Sequence, residues 1–149
     1  MVEVGGGMSK ARVVSLNISA KKGQKKKPVN SIMLVEGKGV EADAHFDSER
    51  QVSLLPAESI EKMRQDGLKV SPGSFAENIT TKGLNIKDLP VGAHLQAGGA
   101  LVEITQIGKD CHTPCAIYKK AGYCIMPEDG VFAKVLKSGR VKVGDIIKV

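Results

Sequence analysis

Tryptophan is missing from these 149 residues, and aromatic side chains of all kinds make up 3% of them. That scarcity weighs against a platform for single-stranded nucleic acid, which stacks successive bases on aromatic faces. No apolar run approaches the ~18 residues that a membrane-spanning helix needs. The stretch Met1 to Met8 has three consecutive glycines and no charged-then-apolar signal pattern. It reads as a flexible leader over residues 1–9, with Met8 as an alternative start, and a cytoplasmic location is the expectation. Walker, Gly-x-Gly-x-x-Gly and Gly-x-Ser-x-Gly patterns are absent, which leaves nucleotide hydrolysis and serine-hydrolase chemistry without support. Cysteine is scarce too, and three is an odd number that cannot complete an intramolecular disulfide framework. In a reducing compartment these are thiols, available for catalysis, metal binding or packing.

The chain does have enough apolar material for a core. At 42% hydrophobic it has the composition of one globular domain. A domain of this length buries ~70% of the surface its unfolded chain exposes. Lysine and arginine number 22 against 16 acidic residues, a net charge of +6 that suggests an anionic partner. Much of the excess lies in Lys21-Lys22-Gly23-Gln24-Lys25-Lys26-Lys27. This run is either a solvated loop or a phosphate-binding one. Nucleic acid ranks third, because no helix-turn-helix, zinc-finger or ribonucleoprotein motif accompanies the charge.

Apolar alternation predicts a strand over Arg12–Ile18, with Val14, Leu16 and Ile18 on one face, and a second over Val29–Val35. The two would form a hairpin with the basic run at its tip, followed by a turn at Glu36–Gly39. Gln51–Leu55 and Phe75–Thr81 are further strand candidates. Between them Pro56 opens a helix with an inner face of Ala57, Ile60 and Met63, and Gly67 stops it. Gly98-Gly99 is a strong hairpin signal between Ala93–Ala97 and Ala100–Ile107. A second helix is expected from Glu128 to Ser138, with Val131, Phe132, Val135 and Leu136 as its stripe and Glu128 and Asp129 at its positive end. A last strand runs Ile146–Val149. About seven short strands, two short helices and no βαβ rhythm predict a mainly β, antiparallel, barrel-like domain.

The residues most suited to chemistry follow the Ala100–Ile107 strand, in Gly108-Lys109-Asp110-Cys111-His112-Thr113-Pro114-Cys115. A thiol is nucleophilic or metal-binding as thiolate, and nearby cations such as Lys109 lower its pKa. Soft sulfur selects soft partners such as zinc, copper(I) or iron–sulfur clusters. Structural zinc wants four ligands in two pairs, and only Cys124 and His112 stand near to complete the set. Cys124, within Tyr123–Met126, reads as a buried thiol, whereas Cys115 reads as a functional one. His45 lies near Asp43 and Arg50 and could help hold an anion, and Arg50 can grip phosphate bidentately. Asn78 by itself reads as a residue whose hydrogen bonds fix a turn. His94 has no evident role.

Six stretches taken in order resemble the MOSC domain, the module at the C-terminus of molybdenum cofactor sulfurases. They are Gly39–His45, Arg50–Leu55, Pro72–Ile79, Cys111–Cys115, Gly130–Leu136 and Gly139–Asp145. The likeness covers residues 10–149 as a single domain of the small stand-alone bacterial type. It implies a β-rich, barrel-like fold and a role with the molybdenum cofactor or in carrying sulfur. The family's characteristic cysteine, proposed to hold a persulfide or to ligate molybdenum, corresponds to Cys115. The resemblance also implies a pocket in which Arg50, Lys27 and the neighbouring lysines meet a pterin phosphate, His45 and Asn78 line the wall, and Lys109 and His112 stabilise charge at the sulfur. Ala42 departs from the pattern, since the family commonly has glycine before that aspartate. The sulfurase's pyridoxal-phosphate domain is missing and no lysine stands in a Schiff-base context, so this chain would not extract sulfur from cysteine itself.

The expectation is therefore a protein that binds molybdenum cofactor (molybdopterin) or relays sulfur. Its partners would be a cysteine desulfurase or the proteins that make and accept the cofactor. The alternatives are a zinc- or redox-responsive thiol protein, and a molybdenum-dependent reductase of N-hydroxylated compounds. An exposed sheet edge would allow a homodimer.

Overall fold

The computed structural model describes residues 11–21, 26–48, 51–108 and 130–149. The leader, Arg50 and the whole cysteine-bearing segment lie outside the described residues. Eleven strands and one α-helix are present: β1 (Arg12–Ile18), β2 (Lys27–Val29), β3 (Ser31–Val35), β4 (Gly39–Val40), β5 (Val52–Pro56), α1 (Ala57–Gln65), β6 (Ile79–Lys82), β7 (His94–Ala97), β8 (Ala100–Ile107), β9 (Val131–Lys137), β10 (Gly139–Lys142) and β11 (Ile147–Lys148), with a short 3-10 turn at Ile86–Asp88. Eight strands form one sheet in the order β11-β7-β8-β9-β5-β6-β1-β2, and β10-β3-β4 form a small second sheet.

The sheets are not closed into a barrel. The large one nevertheless curls until its first and last parts meet, because Arg12 bridges Ile146. The Val13 N–H reaches the Asp145 carbonyl and the Ile147 N–H the Ala11 carbonyl, each at 2.9 Å. The main core lies inside this curl and is closed by the small sheet. Leu16, Leu54, Ile79, Val102 and Ile104 from the large sheet pack with Ile32, Leu34, Val40 and Val141 from the small one. The chain changes sheet four times, twice through a single residue, at Asn30 between β2 and β3 and at Ser138 between β9 and β10. The expected second strand, Val29–Val35, is thus two strands serving different sheets. At the second corner Gly139 approaches Gly99 so closely that a Cβ would collide with the Gly99 carbonyl group.

Two expectations are corrected. The sheet is not wholly antiparallel, since β5 and β6 run parallel with Leu54 opposite Ile79, joined by α1 as a βαβ unit. Parallel neighbours need such a crossover. The segment expected to be a second helix is strand β9, hydrogen-bonded on both sides to β5 and β8. Val131, Ala133 and Val135 face the main core, while Phe132 faces the other way, into a second apolar cluster with Leu55, Ile60, Met63, Val70 and Phe75. Over Val131–Ala133 the strand is buried on both faces and apolar at every position. A short run of that kind also satisfies a helical stripe, and periodicity alone cannot separate the two.

The outward cluster seats α1 against the sheet. Helix α1 follows Pro56 directly and ends before Gly67, in keeping with the sequence signals. If Val131–Lys137 were helical, Phe132 and Leu136 would share a face and matter alike. As a strand, Phe132→Ala should cost about 3–5 kcal/mol, the usual range for a buried phenylalanine. Leu136→Ala, at a half-buried position, should cost much less, and urea melts of the two variants check this.

Candidate functional site

Strand parity sends Leu16, Leu54 and Ile79 inward, so their neighbours Ser15, Asn17, Ser53, Asn78 and Thr80 face outward. These outward positions are polar, and Asn17, Ser53, Asn78 and Thr80 are buried all the same. The loop from Ser71 to Asn78 covers them. The Asn78 carboxamide oxygen accepts from the Ser53 N–H at 3.1 Å and the Ser53 hydroxyl at 3.2 Å, and its Nδ2 donates to the Asn17 carbonyl at 3.1 Å. Asn78 therefore cross-links β5 and β1, with its amide oxygen and nitrogen both engaged. Asn17 Nδ2 donates to Thr80 Oγ1 at 3.2 Å, and Thr80 donates to Glu77 Oε2 at 2.8 Å. Glu77 Oε2 also accepts from the Gly73 N–H at 3.0 Å, while the buried Oε1 has no hydrogen-bond partner among the described residues.

At the end of β1 this polar layer meets an ion pair. The Lys26 ammonium donates to Asp43 Oδ1 at 2.8 Å and Oδ2 at 3.0 Å, and lies 3.3 Å from His45 Nδ1. The side chains of Lys26 and Asp43 are 1% and 0% exposed, and that of His45 is 30% exposed. Asp43 Oδ1 accepts from the Ser19 N–H at 2.9 Å, and Oδ2 from the backbone N–H of His45 at 3.2 Å. In return the Ala44 N–H donates to the Ser19 carbonyl at 2.7 Å. On the opposite side the Lys26 N–H donates to the Gly73 carbonyl at 2.9 Å. Gly73 has φ 92° and sits where a Cβ would strike the Lys26 carbonyl, so the loop can close over Lys26 only with glycine there.

The two buried acids are tuned in opposite directions. Burial alone would raise the Asp43 carboxyl, but the bonds from the Lys26 ammonium and the Ser19 N–H, together with the Lys26 charge, outweigh it. Asp43 is held well below the usual carboxylate range. Among the described residues Glu77 has no cation beside it. Burial raises its carboxyl above the ordinary value, and the bonds from Gly73 and Thr80 only offset that in part. Each acid follows an alanine in the left-handed region, Ala42 at φ 69° and Ala76 at φ 63°.

Of the residues expected at a site, the structure brings His45 into a built cluster and places Asn78 in the buried layer behind it. Lys27 is exposed on β2, beside the buried Lys26. His94 pairs with Glu103 on the sheet surface at 3.2 Å. Arg50, Lys109, His112, Cys111, Cys115 and Cys124 lie outside the described residues. The sequence offers Lys26 to a phosphate together with Lys25 and Lys27 and assigns Glu77 no role, whereas the structure buries Lys26 against Asp43. Lys26 is hidden in a run of lysines, and only strand parity separates its position from that of Lys27. A groove between α1 and Pro72 and Lys82 shares no residue with the Lys26 cluster.

A mainly β domain with a two-sheet core, one crossover helix and a buried lysine–aspartate pair under two loops defines the class. The chain belongs to the MOSC domain family, whose profile matches residues 41–148. That family is linked to molybdenum cofactor binding or sulfurase activity. No curated protein is significantly similar in sequence. Among solved structures, the YuaD protein from Bacillus subtilis superposes with a TM-score of 0.77 at 18% identity, over 93% of this chain and 94% of that one. YiiM from Geobacillus stearothermophilus gives 0.68 at 24% identity, over 92% of this chain and 73% of that one. YiiM from Escherichia coli gives 0.68 at 20%, over 94% and 69%. At these identities the likeness is one of fold.

A left-handed alanine costs about 1–2 kcal/mol relative to glycine, and the flexibility glycine adds to the unfolded chain returns part of that. Ala42 is exposed, so its methyl group contributes little packing. Ala42→Gly should raise stability by about 1 kcal/mol, visible as a higher melting temperature, and Ala42→Val should lower it. Glu77 makes a separate contribution to pH dependence. Its folded-state pKa is raised, so the native state holds the proton more tightly than the unfolded chain does. The stability from that proton is complete below the unfolded carboxylate pKa of about 4.3 and is lost as pH rises through the folded value. Glu77→Gln, which cannot ionise, should gain stability relative to the parent with rising pH, as paired urea melts at acid and alkaline pH would show.

Proposed function

We propose that this MOSC domain binds the molybdenum cofactor or carries sulfur during its maturation, with Cys115 as the thiol that meets the metal or holds the persulfide. The observation that supports this best is the span of the family match, which runs from the Asp43–His45 loop through the Cys111–Cys115 segment to β11. His45 is half-buried at the edge of a built cluster, with the exposed Lys27 following Lys26 in the chain. Such a set suits the anionic, phosphate-bearing part of a pterin cofactor more than its metal. Among the described residues there is no group of three or more His, Cys, Asp or Glu that could hold a metal ion. Metal or sulfur chemistry is accordingly assigned to Cys115, with Arg50 adding charge for the phosphate. Lys26 is not counted among the phosphate contacts, because its charge is spent on Asp43.

When bound, the cofactor would supply a molybdenum–dithiolene centre suited to a soft thiolate ligand. In the relay form, the Cys115 thiolate attacks the outer sulfur of a donor persulfide. An S–S bond forms at Cys115 as the donor's S–S bond breaks, and the donor leaves as a thiolate. Lys109 and His112, neighbours in sequence, favour the thiolate. The donor class is a cysteine desulfurase, and the acceptor is the cofactor or the protein that carries it.

Parent protein and Cys115→Ala, purified side by side from a cofactor-making host, should differ in molybdenum and pterin content, with both present in the parent and absent from the variant. If neither preparation holds the cofactor, the relay form requires a persulfide on Cys115 of the parent after incubation with a desulfurase and cysteine. Absence of molybdenum, pterin and persulfide alike would overturn the proposal.

A further inference from the structure

We infer that Lys26 is a positioning residue which, with Asp43, fixes His45 as the Nε2–H tautomer and presents that N–H on the open side of the site as a donor to an anionic acceptor. An ammonium group has three protons and no lone pair. The three neighbours of the Lys26 Nζ are Asp43 Oδ1 at 2.8 Å, Asp43 Oδ2 at 3.0 Å and His45 Nδ1 at 3.3 Å. A proton on Nδ1 would point at a group that cannot accept it. Among the described residues the only other partner within reach is Asp43 Oδ2, 3.5 Å from Nδ1. That oxygen already accepts from Lys26 and from the His45 backbone N–H at 3.2 Å, and 3.5 Å is long for an N–H···O bond. Nδ1 is therefore the acceptor, and the proton of the neutral ring sits on Nε2.

Nδ1 packs against two side chains that are 1% and 0% exposed, whereas the His45 side chain as a whole is 30% exposed. The tautomer of a histidine is set by the bond that its other nitrogen makes, and here a lysine makes it. Lys26 and Asp43 cancel each other's charge. His45 thus offers a directed donor to an oxygen or sulfur anion, and the balancing positive charge falls to residues outside the pair such as Lys27. Only the identity of the acceptor rests on the proposed cofactor or sulfur role. The tautomer follows from the cluster itself.

Imidazole nitrogen and proton shifts of 15N-labelled protein, measured without cofactor at a pH where the ring is neutral, test this. The chain has 3 histidines, and His45→Gln assigns the resonance. The parent should show a single Nε2–H tautomer at His45. Removing Lys26 alone would strand a buried carboxylate, so the comparison uses the double variant Lys26→Met with Asp43→Asn, in which both charges go together. There the ring should relax to the mixture of tautomers found in free imidazole side chains. An Nδ1–H signal in the parent, or a parent-like single tautomer in the double variant, would overturn the inference. Neither outcome depends on whether molybdenum, pterin or persulfide is ever found.

Discussion

A buried ammonium and a buried carboxylate meet where the end of β1, the Asp43–His45 loop and the Gly73 loop converge, and the arrangement of all three follows from that pair. Taking two such ions out of water costs several kcal/mol each. The cost is offset only because no part of either ion is left without a partner. Lys26 has three acceptors, and Asp43 has backbone donors from Ser19 and His45 besides the lysine. Each bond fixes a different segment. A pair built in this way adds little net stability, but it makes alternative loop positions expensive, since any of them would strand a charge. The half-exposed imidazole of His45 then stands on a rigid base although it belongs to a turn.

The Glu77 region provides the other half of the frame through a hydrogen-bonded network. Glu77, Thr80 and Asn17 form a continuous chain of hydrogen bonds on the outer face of β1 and β6, under the loop that carries Gly73. One loop is thus held by an ion pair and the other by hydrogen bonds to a carboxyl that has no cation beside it among the described residues, and Lys26 touches both. The left-handed alanines before Asp43 and Glu77 mark where the backbone is turned sharply to bring each carboxyl inward. Strain of this kind persists where surrounding bonds over-determine the conformation. It also gives a physical account of the glycine that the family commonly has at the position of Ala42.

Much of the strand pattern is legible in the sequence because a half-buried strand alternates. Arg12–Ile18 and Ala100–Ile107 coincide with β1 and β8, and the Gly98-Gly99 turn joins β7 to β8, but a bulge between Val13 and Ser15 puts Val13 instead of the expected Val14 in the core with Leu16. Legibility fails where both faces are covered. Val131–Lys137 carries apolar residues for two separate cores and so mimics a helical stripe, and the crossover through α1 offers no signal that β5 and β6 run parallel. At the site, the Asp-x-His of Asp43 and His45 is visible as a motif. The role of Lys26 is not, because adjacent lysines are chemically identical and only the register of β2 against β1 decides which one is buried. Glu77 escapes notice for a related reason. A carboxylate kept inside without a cation can be found only from the loop that covers it.

The position of β9 has a consequence for the order in which this chain can assemble during synthesis. Strand β9 lies between β8 and β5, and nothing earlier in the sequence fills that slot. While a ribosome is still translating the cysteine-bearing segment, β5–β6–β1–β2 and β7–β8 can each pair locally. The two halves then face each other with bare strand edges, and such edges invite pairing with other chains. Only when residues 131–137 emerge can the halves be joined, and the contact of Arg12 with Ile146 closes the curl last of all. The order of synthesis thus leaves the nascent chain most open to aggregation just before its final strands are released.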